Sequence, residues 1–150
     1  MTTDQPLDKF KNIVANRLLQ EWQAYGKIII AVDFDDTIYK WKIGDTKVIN
    51  FVIDVLKEAK SVGALIVIFT ACNPDRFDFI KEYCKQIGLE VDSINSNPIN
   101  LPYGNNGSKI YYNILIDDRA GFSEAITLLY DTMYKYKGQK ATERIFNQIF

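Results

Sequence analysis

The sequence predicts an α/β protein, an open parallel sheet flanked by helices, with extra helices at its N- and C-terminal ends. Three observations lead there. Short apolar runs at 28–32, 64–69 and 111–116 are separated by stretches of helical periodicity, the alternation that builds βαβ units. The first two runs are apolar at odd and even positions alike, as in strands covered on both faces. Two of the three stop abruptly at acidic residues, one at Asp33-Phe34-Asp35-Asp36-Thr37 and the other at Asp117-Asp118-Arg119. With 150 residues, 47% of them hydrophobic, the chain suffices for one compact domain, 1–150, whose motif-bearing core spans about 27–137.

Leu7, Phe10, Ile13, Val14, Leu18, Trp22 and Tyr25 recur at helical spacing, so residues 7–25 read as an amphipathic helix stopped by Gly26. Residues 28–32 form the central strand, and the acidic loop follows directly. Residues 39–45 mix aromatics, Lys and Gly, and are expected to make a short hairpin or flap over the carboxylates. Val48, Ile49, Val52, Val55, Leu56 and Ala59 line one face of a helix ending near Gly63, before a second strand that reaches Thr70. Pro74 and Asp75 open a third helix, with Phe77, Ile80, Tyr83, Cys84 and Ile87 inward and Gly88 closing it. A short strand at 91–94 and an Asn-, Pro- and Gly-rich loop at 95–107 precede the last strand. Two closing helices, 122–136 and 141–150, are expected around Gly138.

Composition removes several function classes. The net charge is −1 with acidic and basic residues interspersed, so there is no footprint for nucleic-acid backbone binding. The chain has no His, which excludes Cys/His zinc sites and every His-based triad. Its two cysteines, Cys72 and Cys84, suit a reduced compartment, with Cys72 a small structural residue rather than a nucleophile. The polar start of the chain and the shortness of its apolar runs lead to the expectation of a cytoplasmic protein with no membrane partner.

A buried strand has no reason to finish on Asp-x-Asp unless the carboxylates meet a cation, a helix N-terminus or a reacting group. In an open parallel sheet with right-handed crossovers, ligands bind beyond the carboxyl ends of the strands, where Asp33, Asp35, Thr70, Asp117 and Asp118 all fall. Converging carboxylates without His favour a hard, oxygen-liganded cation such as Mg²⁺. An EF-hand is excluded, because loop position six is Ile38 and position twelve is Gly44. A carboxylate beside such a metal can attack phosphorus, while a second one, kept protonated by its surroundings, gives the leaving oxygen a proton. Asp33 and Asp35 suit that division, and the Thr70 hydroxyl and Lys109 ammonium supply positioning and charge neutralisation. Asp36 is expected to be a loop or cap residue and Thr37 to bond either the local backbone or the substrate, neither being a catalytic residue.

In this order the residues resemble the haloacid dehalogenase superfamily, mostly Mg²⁺-dependent phosphatases on a Rossmann-like core. Asp33-Phe34-Asp35-Asp36-Thr37 is similar to its Asp-x-Asp-x-Thr motif, Leu65 to Thr70 to its second, Lys109 to its third, and Ile114 to Asp118 to its fourth. The resemblance implies Asp33 as nucleophile and metal ligand, and Asp35 as general acid/base, with the Asp35 main-chain carbonyl on the metal. It further implies phosphoryl contacts from Thr70 and the Ala71 N–H, Lys109 as the charge-neutralising residue, and Asp117 and Asp118 as metal ligands, Asp118 either directly or through water. Arg119 lies outside the motif. Two departures bear on substrate choice: the position before Thr37 is often Gly and is Asp36 here, and Thr70 is followed by Ala-Cys-Asn rather than an early Arg.

The intervals 38–63 and 71–108 leave no room for a cap domain, so the chain resembles a capless member with an open site. Such a site admits a phosphorylated small molecule or an accessible phosphorylated macromolecule, unless a second subunit closes it. The flap around Trp41 and the 95–107 loop are the local candidates for specificity. The expected activity is thus a phosphomonoester hydrolase working through an aspartyl phosphate on Asp33. Two alternatives stand beside it. One is a receiver-like phosphoacceptor, disfavoured because Lys109 precedes an acidic strand end. The other is a non-catalytic, metal-binding scaffold of the same fold.

Overall fold

The structure is a computed structural model that describes residues 6–98 and 109–149. Its elements run α1 (Pro6–Tyr25), β1 (Ile29–Val32), α2 (Thr46–Ser61), β2 (Leu65–Ile68), α3 (Phe77–Gln86), β3 (Ser93–Ile94), β4 (Ile114–Ile116) and α4 (Phe122–Ile149), with one 3₁₀ turn, Pro74–Arg76, leading into α3. The strands are all parallel and ordered β3-β2-β1-β4, which gives the predicted Rossmann-like α/β architecture. All four residues of β1 are fully buried, as only a strand covered on both faces can be. The chain walks outward from β1 through β2 to β3, then returns to lay β4 on the other side of β1. Strand order therefore reverses at β1, and the ends of β1 and β4 border the switch point where such sheets bind ligands.

The helix α2 shows how local sequence sets these elements. Asp45 caps it by accepting the Val48 N–H at 3.1 Å, and Ile49, Val52, Ile53, Val55, Leu56 and Ala59 are buried. Its predicted face holds except at Val48, which is exposed in the first turn, while Ile53 is buried in addition. Gly63 then turns the chain with a φ of +99°, and a Cβ there would lie 2.3 Å from the Gly26 carbonyl oxygen. The contact with the end of α1 is possible only for glycine.

Four expectations are corrected. The two closing helices are one, α4, which continues through Gly138. A glycine costs a helix about 1 kcal/mol, too little to break one already held on both sides of it by neighbouring elements. Here Tyr136 stacks on Trp22 of α1 at 4.9 Å, Gln139 accepts from Gln23 at 2.7 Å, and the Thr142 hydroxyl donates to the Gly138 carbonyl at 3.0 Å. In α1 only Leu18 and Trp22 are buried, whereas Leu7, Phe10, Ile13 and Tyr25 are exposed. Twenty residues of helix extend about 30 Å, and four residues of strand only about 13 Å, so the strands are too short to cover the whole of α1.

The predicted strands at 91–94 and 111–116 shorten to two and three residues, because side chains take over the ladder ahead of them. Asp92 accepts the Ile66 N–H at 2.7 Å, and Asn113 accepts the Ile29 N–H at 2.6 Å. Finally, residues 39–45 form no hairpin. They make a loop gathered around the Asp36 carboxylate. Most of the predicted 95–107 loop lies outside the described residues.

Candidate functional site

Three parallel strands deliver their last residues to one edge. The β1 ladder runs one step past the strand on each side: the Asp33 N–H donates to the Ile116 carbonyl at 2.9 Å, and the Phe69 N–H to the Val32 carbonyl at 2.8 Å. Asp33 is thereby fixed beside Asp117, and oxygens of Asp33, Asp117 and Asp118 all lie within 4.8 Å of one another, each residue half-buried. Thr37, almost fully buried, joins them. Its hydroxyl accepts the Asp118 N–H at 3.1 Å and has the Asp33 carboxylate at 3.2 Å and that of Asp118 at 3.4 Å as acceptors for its one proton. Asp117 is oriented by the turn after β4, where its carboxylate accepts the Arg119 N–H at 2.9 Å.

This crowding has an electrostatic consequence. Burial, reinforced by the Asp117 charge and by a hydrogen bond with Asp118, pushes the Asp33 carboxyl from 3.8 up to about 7, against the opposing pull of Thr37. Three carboxylates at this spacing repel one another unless a cation lies among them. The donor set is all oxygen, and one oxygen from each residue lies within 4.8 Å of the others, near enough together to surround a single ion that binds oxygen at about 2.1 Å. These residues therefore fit a hard divalent cation such as Mg²⁺.

Asp35 faces elsewhere, and its neighbour is a cation rather than the surroundings expected to keep it protonated. Both its oxygens are taken by Arg76 in a two-point fork, Nη1 to Oδ2 at 2.6 Å and Nη2 to Oδ1 at 2.8 Å. The Asp35 hydrogen bond in turn raises the Arg76 pKa. The guanidinium carbon sits 5.0 Å from the Trp41 ring, 5.4 Å from Phe34, 5.6 Å from Phe79 and 5.9 Å from Tyr39, all within cation–π range. Phe34, Tyr39 and Phe79 also pack on one another, and Tyr83 ties the set to the turn by donating to the Ile38 carbonyl at 2.6 Å.

Asp36 organises the loop and takes no part in the carboxylate group. It adopts a φ of +59°, and one of its oxygens accepts the N–H groups of Trp41, Lys42 and Gly44 at 3.0, 2.9 and 2.9 Å. Partial desolvation works to raise its pKa, but these backbone donors outweigh it and the net direction is downward. Gly44 permits the approach, since a Cβ there would lie 3.0 Å from the accepting oxygen and 2.8 Å from Ile49.

Thr70 follows just beyond β2 with its backbone clamped by Asn95, whose side chain accepts the Thr70 N–H at 2.8 Å and donates to the Thr70 carbonyl at 2.7 Å. Asn95 achieves this at the end of β3 with a φ of +52°. Lys109 is exposed and, among the described residues, makes no ion pair with the carboxylates. The structure thus gathers Asp33, Asp117 and Asp118, keeps Thr70 at the same sheet edge, turns the Asp35 side chain to Arg76, and leaves Lys109 at the surface. Cys84 is buried and its thiol pushed up to about 11 by that burial, and Cys72 is half-buried.

Sequence reading missed Arg76 and Asn95. A cation in the turn that opens a helix runs against the helix dipole, and that misfit is the one signal that marks Arg76. For Asn95 the signal is its place at a strand end, since Asn tolerates the left-handed conformation.

No family model and no curated protein matches this chain. A solved structure does: that of a conserved protein from Bacteroides thetaiotaomicron, 26% identical over 63% of this chain and 78% of that one, with a TM-score of 0.52. The likeness supports the α/β fold. No helix among the described residues is long and apolar enough to cross a membrane.

Proposed function

We propose that this protein is a Mg²⁺-dependent phosphomonoester hydrolase acting through an aspartyl phosphate on Asp33. The observation that carries the reading is the convergence of Asp33, Asp117 and Asp118 at the strand-order switch of a parallel sheet that has no His to offer. The sequential order of Asp33, Thr70, Lys109 and Asp117, as in the haloacid dehalogenase superfamily, supports it.

In this reading Asp33, Asp117, Asp118 and the main-chain carbonyl of Asp35 hold the metal. Bound there, Mg²⁺ neutralises the carboxylates and the charge on the phosphoryl oxygens. The Asp33 carboxylate attacks phosphorus and the bond to the leaving oxygen breaks, with Asp35 donating the proton that oxygen needs. Water then attacks the phosphoenzyme, Asp35 takes its proton, and phosphate leaves as the Asp33 carboxylate is restored. Thr37 holds Asp33 and Asp118 in a fixed relation by one shared hydroxyl. The Thr70 hydroxyl and Ala71 N–H orient the phosphoryl group, with the Thr70 backbone steadied by Asn95. Lys109, on a long flexible stem at the surface, supplies the remaining positive charge once substrate draws it in.

The substrate is a phosphorylated small molecule or an exposed phosphate on a macromolecule. Screening the protein with Mg²⁺ against phosphorylated metabolites and phosphopolymers tests the assignment. Turnover is expected for at least one class, and the Asp33→Asn variant should lose it. A wild-type protein inert across the panel, or an unimpaired Asp33→Asn variant, would sink the reading.

A further inference from the structure

Given the phosphatase reading proposed for this site, we infer that Arg76 is a positioning residue for Asp35, fixing the plane and rotamer of the carboxylate that exchanges protons during turnover. The fork at 2.6 and 2.8 Å is the first ground. Two parallel bonds from a planar guanidinium remove the rotation about the carboxylate axis that a single bond would leave.

The guanidinium is itself immobilised, which is the second ground. Phe34 and Tyr39 from the β1 side, Trp41 from the Asp36 loop and Phe79 from α3 surround it at 5.0 to 5.9 Å. Only about a quarter of the Arg76 side chain is exposed, so its head has little freedom to wander. Helix stability does not explain an arginine there. It sits at the N-cap of α3 without making a side-chain cap bond, with its charge against the helix dipole.

The fork orients Asp35 without blocking it. Each carboxylate oxygen has two acceptor sites and gives one to Arg76, so one per oxygen is left for a proton or a water. In phosphoenzyme breakdown that site takes a proton from the attacking water, whose oxygen bonds to phosphorus as the bond from phosphorus to the Asp33 oxygen breaks. Inorganic phosphate leaves, the Asp33 carboxylate is recovered, and Asp35 keeps the proton for the next leaving oxygen, or gives it up to solvent when the leaving group departs without one.

The test uses the Mg²⁺-loaded full chain and radiolabelled para-nitrophenyl phosphate, whose leaving group departs without a proton and so isolates the breakdown step. Wild type, Arg76→Gln, Arg76→Lys and Asp35→Asn are compared for kcat, KM and acid-trapped phosphoenzyme. For Arg76→Gln, kcat should fall by about 10- to 100-fold with KM changed by less than about twofold, and labelled phosphoenzyme should accumulate as in Asp35→Asn. Lysine keeps the charge but has no fork, so Arg76→Lys should lose nearly as much as Arg76→Gln. If a thermal melt shows Arg76→Gln unfolded, Arg76→Lys alone decides. Wild-type kcat in Arg76→Lys, or a rise in KM alone without phosphoenzyme accumulation, would overturn the inference. A failure of the phosphatase reading looks different: wild type itself shows neither turnover nor label, and the inference falls with it.

Discussion

Asp36 occupies the left-handed region in the middle of the acidic motif, a conformation that glycine adopts most easily. Its side chain offsets that conformational cost by gathering three backbone N–H groups, so the residue that looks like a third catalytic acid is the one that shapes the loop. Asp33 behaves differently, because its neighbours are carboxylates rather than donors. Its raised pKa makes a prediction with a definite sign. Between about 4 and about 7 the folded protein holds the Asp33 proton more tightly than the unfolded chain does. The stability of the metal-free protein therefore falls as pH rises through that window and levels off above it. Thermal melts in a chelator across this range should show the decline, and Mg²⁺ or Asp33→Asn should flatten it. An unchanged slope in both would contradict the electrostatic account of the site. Asp33, Asp117 and Asp118 were legible in the sequence because each follows an apolar strand. Arg76 was not, because its partner lies 41 residues away and only tertiary packing brings the two together.

Strands and helices follow the same division between what is local and what depends on neighbours. The central strand and α2 are plain from their apolar patterns, and both appear close to where periodicity places them. The strand ends near 91 and 111 were misjudged because Asp92 and Asn113 bond the neighbouring strand through their side chains, which hydrophobicity does not register. Gly63 and Gly138 look alike in sequence and differ in consequence. Gly63 turns with φ +99° against the Gly26 carbonyl, whereas a Cβ at Gly138 would meet nothing within 4 Å. Gly63→Ala should lower stability by about 1 to 3 kcal/mol, and Gly138→Ala should raise it by about 0.5 to 1 kcal/mol. Chemical unfolding of the two variants checks both signs, and a destabilised Gly138→Ala would mean that α4 does not run straight through that position.

For the whole molecule, topology turns scattered acidic residues into one site. The order β3-β2-β1-β4 makes neighbours of β1 and β4, which are separated by some eighty residues of chain, and their ends meet where the strand order reverses. That placement followed from reading parallel strands with acidic ends, and the site's outline was legible to that extent. The surface position of Lys109 and the engagement of Asp35 by Arg76 were not, since neither depends on strand order. The central claim is that Asp33 is phosphorylated during turnover. The direct measurement is to quench the Mg²⁺-loaded protein in acid during hydrolysis of a radiolabelled phosphomonoester and map the labelled peptide. The account predicts label on Asp33, absent from Asp33→Asn and lasting longer in Asp35→Asn. Label on another residue, or hydrolysis by Asp33→Asn at the wild-type rate, would contradict it.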